Sequence, residues 1–119
     1  MKYNATITKI GNEAKDFLEK SGSLIIFGGQ VPPELETISL IHDGESLTQE
    51  LKVGDMVMLC GKELYISAIG NKAIENIKKL GHCTLRFDAG GNILPGNVIL
   101  AGEAIAPGDI VVGGKLEFH

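Results

Sequence analysis

The chain has no tryptophan, one arginine (Arg86), and aromatic side chains at only 5% of its 119 positions. With 15 acidic residues against 11 basic ones the net charge is −4, and no basic stripe is present. That disfavours a nucleic-acid binder, because such binding draws on the release of phosphate counterions by clustered lysine and arginine. Nowhere do about 18 apolar residues run together, the length that a membrane-spanning helix needs. The segment Met1 to Thr6 has no apolar core of signal-peptide length, so a cytoplasmic protein without direct membrane insertion is expected. The two cysteines, Cys60 and Cys83, sit in apolar strand-like runs and read as reduced core residues rather than a disulfide. Motifs that announce chemistry are missing too: there is no glycine-rich phosphate loop, Cys-x-x-Cys, Gly-x-Ser-x-Gly or His-x-x-x-His. The spacing of His42, Cys60, His82 and Cys83 gives a metal only weak support. Neither a metal nor a cofactor is expected.

Against these absences stand 16 glycines and a hydrophobic fraction of 44%. That is enough apolar material for one core and too little chain for two ordinary domains, so residues 1–119 are expected to form a single domain. The chain also repeats itself. Ile7-Thr8-Lys9-Ile10-Gly11-Asn12-Glu13-Ala14 returns as Ile66-Ser67-Ala68-Ile69-Gly70-Asn71-Lys72-Ala73. A second echo pairs Gly54-Asp55-Met56-Val57 with Gly108-Asp109-Ile110-Val111. Each half alone would be marginal, so the copies are expected to share one interior.

Both copies follow one grammar. Tyr3 to Ile10 alternates as a strand, Asn12 is placed to cap a helix over Glu13 to Lys20, and Gly22 stops it. Strands follow at Leu24 to Phe27 and Thr37 to His42, with a loop from Gly28 to Pro33 between them. Asp55 to Cys60 and Leu64 to Ile69 then form a hairpin across Gly61-Lys62. In the second copy Asn71 caps a helix over Lys72 to Leu80, stopped by Gly81. His82 to Phe87 is a strand, Asp88 to Gly91 a turn, and Val98 to Ala101 and Ile110 to Phe118 are strands. The class expected is mainly β: a closed or nearly closed small barrel with two short helices and an internal pseudo-two-fold, since closure removes exposed sheet edges.

Duplication gives a filter for function, because framework residues recur while special ones do not. His42, in Leu40-Ile41-His42-Asp43-Gly44, falls where the second copy reads Ile99-Leu100-Ala101-Gly102. A lone histidine at a strand end is most often a structural residue, and His119 at the terminus carries no signal. His82, after the helix stop at Gly81, is suited to interact with a helix C-terminus or simply to begin a strand. For His42 the expectation is a partly exposed ring on a rigid strand, close to free amides of Asp43 and Gly44. A neutral imidazole at such a place is nucleophilic near pH 7 and is able to accept a phosphoryl group. Phosphoryl transfer asks mainly for in-line positioning and donors, which those amides and a hydroxyl of Ser46 or Thr48 would supply. The second ring nitrogen needs a partner that fixes the tautomer, and local sequence does not name it. A ring walled into the interior, with both nitrogens tied up and no approach for a docking carrier, would overturn the relay.

Several segments together resemble one family. Ile41-His42 with Gly44 and Leu47, Ile69-Gly70, Leu80-Gly81-His82-Cys83-Thr84-Leu85-Arg86-Phe87-Asp88, Leu94-Pro95-Gly96-Asn97-Val98 and Ala106-Pro107-Gly108 resemble the glucitol/sorbitol-specific enzyme IIA family of the bacterial phosphotransferase system. The resemblance runs essentially end to end. It implies a phosphotransferase that takes a phosphoryl group from the phosphocarrier HPr onto His42. It further implies delivery to the enzyme IIB/IIC transporter components, which take up and phosphorylate a hexitol such as glucitol. Asp43, Gly44, Ser46 and His82 become candidate neighbours of the phosphoryl group, and Arg86 a framework residue paired with Asp88. The segment after His42 departs from the family pattern, since Asp43 leads directly into Gly44. The rival reading is a non-catalytic barrel that keeps the fold and binds a small molecule or partner without the relay.

Overall fold

The computed structural model describes residues 1–88 and 93–119, so the turn expected at Asp88 to Gly91 lies mostly outside the described residues. Among the described residues there are eight strands: β1 Tyr3–Ile10, β2 Ser23–Phe27, β3 Ser39–His42, β4 Met56–Leu59, β5 Lys62–Ile69, β6 Cys83–Arg86, β7 Asn97–Gly102 and β8 Lys115–Phe118. They close into a barrel in the order β1-β3-β2-β6-β7-β5-β4-β8, with β8 returning to β1. The pairs β2·β3 and β6·β7 are parallel and the others antiparallel. Period-two patterning makes the strands. In β1, Tyr3, Ala5 and Ile7 point inward while Asn4 and Thr8 face out, and in β5 Leu64 and Ile66 alternate with Glu63, Tyr65 and Ser67.

Helix α1 spans Ala14–Ser21, α2 is a single turn at Pro33–Glu36, and α3 spans Ala73–Leu80. The first and third each bury two residues four apart, Ala14 with Leu18 and Ala73 with Ile77. Both end in a left-handed glycine, Gly22 at φ 69° and Gly81 at φ 60°. Only glycine enters that region without a Cβ penalty. The expected asparagine caps are corrected: Glu13 and Lys72 hold the N-cap positions, and neither makes a side-chain capping bond. The last strand is shorter than expected, because Pro107–Asp109 forms a 3-10 turn and pairing resumes only at Lys115.

The internal two-fold is visible in the pairing. Between β2 and β6, Leu24 faces Leu85, and between β4 and β8, Val57 faces Phe118 while Leu59 faces Leu116. Those two seams lie on opposite sides of the ring, where copies meet copies. Most elements recur at one offset, Tyr3 matching Lys62 and Met56 matching Lys115. The echo between Gly54-Asp55 and Gly108-Asp109 is therefore no part of the symmetry, since β4 corresponds to β8. Strands β3 and β7 are offset by one residue less. Ile7 pairs with His42 in one half and Ile66 with Leu100 in the other, so the counterpart of His42 is Leu100. Ser39 and Asn97 correspond in the same way, and all four residues are buried.

Candidate functional site

On β3 the inward face carries Leu40 and His42, two residues apart, while Ile41 is half-buried between them. His42 is consequently a core residue, 2% exposed, and the expected partial exposure is corrected. The reason is strand geometry: a side chain two positions after a buried leucine shares its face. Both ring nitrogens are engaged. Nε2 lies 2.8 Å from the carbonyl oxygen of Gly81, and Nδ1 accepts the amide N–H of Gly44 at 3.0 Å. A carbonyl oxygen only accepts, so Nε2 carries the hydrogen and Nδ1 the lone pair. Gly81 is thus the partner that fixes the tautomer, thirty-nine positions from His42 in sequence.

Main chain covers the ring on its Cε1 side. A Cβ on Gly81 would stand 2.8 Å from His42 Cε1, and one on Gly28 would stand 3.1 Å from it. Gly28 is tied to the end of α3 by its N–H to the Leu80 carbonyl, 2.9 Å. Tyr3 approaches the imidazole edge-on, with ring centroids 5.8 Å apart at 87°. Tyr3, Gly28 and Gly81 are the residues around His42 that sequence reading did not find. They arrive from three separate elements, and only the pairing of β1 with β3 and the seam of β2 with β6 brings them together.

The other candidates divide. Asp43 is exposed, yet its N–H is spent on the Thr6 carbonyl (3.1 Å) and its Oδ1 accepts the Thr6 N–H (2.6 Å). Of the two amides expected to be free, only that of Gly44 points at the ring, and it is bonded to it. Ser46 lies in the wall of a surface cavity of about 440 Å³, with Lys2, Tyr3, Thr6, Asp43 and Lys115 among its neighbours there. Thr48 is committed to the start of β1, its hydroxyl donating to the carbonyls of Met1 (3.2 Å) and Lys2 (3.1 Å). His82 stacks on Phe27, centroids 4.1 Å apart at 17°, and its Nδ1 donates to the Ile26 carbonyl at 3.3 Å. It joins the site only through its neighbour Gly81. Arg86 forks onto both oxygens of Asp88 at 3.2 Å and reaches the side-chain Oδ1 of Asn97 at 3.4 Å, so the expected Arg86–Asp88 pair is present. Cys83 is fully buried and Cys60 half-buried, and both are free thiols. Among the described residues no three His, Cys, Asp or Glu side chains converge as a metal set.

Burial pushes the His42 imidazole below its ordinary range, while the Gly81 carbonyl and the charge of Asp43 pull the other way. The folded ring is therefore neutral at pH 7. An unfolded imidazole titrates near pH 6.5. Below that value the unfolded chain binds a proton that the folded ring takes up only at lower pH, so stability falls with falling pH and levels off once the folded ring is protonated. The expected result is a urea midpoint that drops between about pH 7.5 and pH 5, and a His42→Gln variant in which that part of the drop is gone. Equal pH slopes in the two proteins would refute the assignment.

Three comparisons with known proteins agree. The family model described as the PTS system glucitol/sorbitol-specific IIA component matches residues 2–117. Two relatives named as PTS system glucitol/sorbitol-specific EIIA components, from Shigella flexneri and Escherichia coli K12, are each 38% identical over 118 residues, covering 98% of this chain and 94% of theirs. Among solved structures, a PTS system IIA component from Enterococcus faecalis V583 superposes with a TM-score of 0.82 at 24% identity, over 97% of this chain and 98% of that one. That likeness supports the closed-barrel fold.

Proposed function

We propose that this chain, which belongs to the glucitol/sorbitol-specific IIA component family of the sugar phosphotransferase system, takes a phosphoryl group from phospho-HPr onto His42 and passes it to the enzyme IIB component. The acceptor then serves uptake and phosphorylation of a hexitol such as glucitol, and the chain works in the cytoplasm. No helix among the described residues is long and apolar enough to cross a membrane.

One observation carries the reading. An imidazole stands where the other half of the barrel places Leu100. The fold asks only for an apolar side chain at that position. Keeping a histidine there obliges the protein to satisfy two ring nitrogens inside the core, which it does with the Gly44 amide and the Gly81 carbonyl. A neutral ring with a fixed tautomer is the resting form that a nitrogen nucleophile needs. Transfer itself requires the ring to be uncovered. The segment that caps Nδ1, residues 43–48, lies outside the strands, and its residues Asp43, Glu45 and Ser46 are exposed. The loop from Gly28 to Pro33, beside the exposed Leu80, is the lip on which a carrier would dock.

A second reading, a barrel that keeps the fold and binds without the relay, is favoured by the burial of the ring and the engagement of both its nitrogens. Incubation with phosphoenolpyruvate, enzyme I and HPr separates the two. The relay gives one phosphoryl group per chain, lost in acid and stable in base, and absent when HPr is omitted. A binding module takes up none.

A further inference from the structure

We propose that the phosphoryl group sits on His42 Nδ1, on the side of the ring that the Gly44 amide now closes, and that the Tyr3 hydroxyl donates a hydrogen bond to it once residues 43–48 have drawn back. This rests on the relay reading above and adds a donor that it does not name. Tyr3 is 2% exposed, and its hydroxyl is the buried side-chain polar atom without a hydrogen-bond partner among the described residues. Buried hydroxyls ordinarily find partners, so an unsatisfied one beside a candidate reacting atom points to a partner that arrives later. Its position is fixed by Gly44. The Tyr3 hydroxyl oxygen and ring edge stand 2.5–2.6 Å from where a Gly44 Cβ would be, while the Gly44 amide caps His42 Nδ1 at 3.0 Å. One glycine therefore separates the hydroxyl from the lone pair. Burial, with the nearby Cys83 and Asp43, pushes the phenol up to about 12, so it stays protonated and able to donate.

The step balances simply. The Nδ1 lone pair forms the new N–P bond as the donor's N–P bond breaks, its electron pair returning to the donor imidazole. The Nε2 hydrogen stays on the ring, held by the Gly81 carbonyl, which stabilises the positive charge that the phosphorylated ring acquires. The Gly44 N–H, released from the lone pair, and the Tyr3 O–H both turn to phosphoryl oxygens. Attack from Nε2 would instead require loss of the ring proton and would leave a carbonyl oxygen facing an anion.

The test compares Tyr3→Phe with the wild type, using the full chain with phosphoenolpyruvate, enzyme I and HPr. Phenylalanine keeps the edge contacts to His42 and Phe118 and removes only the hydroxyl. The equilibrium constant for uptake from phospho-HPr should fall about tenfold or more, the scale of one hydrogen bond to a charged group. The unphosphorylated variant should unfold at the same or a higher urea concentration, because it loses an unsatisfied group. A structural role would move stability down instead. Uptake within about twofold of wild type, a lower urea midpoint with uptake falling in step, or nitrogen-15 spectra placing phosphorus on Nε2 would each overturn the proposal. Failure of the wild type to label at all would instead sink the relay reading beneath it.

Discussion

The His42→Gln variant is expected to take up no phosphoryl group from phospho-HPr, whereas His82→Ala should label as the wild type does. The first effect is total, because an amide nitrogen has no lone pair available for attack on phosphorus. The choice of glutamine matters. His42 is interior, and truncation to alanine would leave the Gly44 N–H and the Gly81 carbonyl without partners and open a cavity beside Tyr3. Each of the first two losses costs about 1–3 kcal/mol and the cavity adds more. Against a total stability of about 5–15 kcal/mol, such a variant loses labelling partly by unfolding. Glutamine retains an acceptor and donors at the end of a neutral side chain, so circular dichroism and urea unfolding should report a folded barrel. His82 serves as the internal control because its ring is occupied with Phe27 and Ile26. Full labelling of His42→Gln, with loss in His82→Ala, would move the phosphoryl site to the second histidine.

Much of the barrel was legible in one sequence, because duplication repeats every signal. The glycine stops at Gly22 and Gly81, the alternation in β1 and β5, and the hairpin across Gly61 all follow from residue-level chemistry, and the structure places them within a residue or two. The failure that matters most for the site is the exposure of His42, because a residue at the end of a strand is ordinarily exposed. The contrary signal was present, since Leu40 and His42 are two apart and their counterparts Val98 and Leu100 are both apolar. What no local pattern contains is the company that His42 keeps. Gly81 and Gly28 reach the ring because the β2·β6 seam brings the end of α3 beside the end of β2, and Tyr3 because β1 pairs with β3. Glycine in a sequence reads as a turn or a helix stop. Whether it also makes room for a ring depends on a chain segment tens of residues away.

That double duty yields the other large effect, a contrast between two glycines that the internal symmetry makes equivalent. Gly22 and Gly81 each close a helix in the left-handed region, at φ 69° and 60°, and each donates its N–H back to the last turn. Substitution by alanine costs both about 1 kcal/mol for that backbone conformation. Beyond it they part. A Cβ at Gly22 would find its nearest neighbour, the Asp88 Cβ, at 3.8 Å, which is ordinary contact. One at Gly81 would lie 2.8 Å from His42 Cε1 and 2.9 Å from both Cα and N of Gly28, where main chain has no flexible end to swing aside. Overpacking of this kind adds about 1–3 kcal/mol. Gly22→Ala should therefore shift the urea midpoint slightly and leave phosphoryl uptake unchanged. Gly81→Ala should lose about 2–4 kcal/mol and slow uptake at least tenfold even where it remains folded, since the Gly81 carbonyl that holds the imidazole tautomer is displaced with its backbone. Equal losses at the two caps would mean that Gly81 is only a helix stop and that the ring is not held as described.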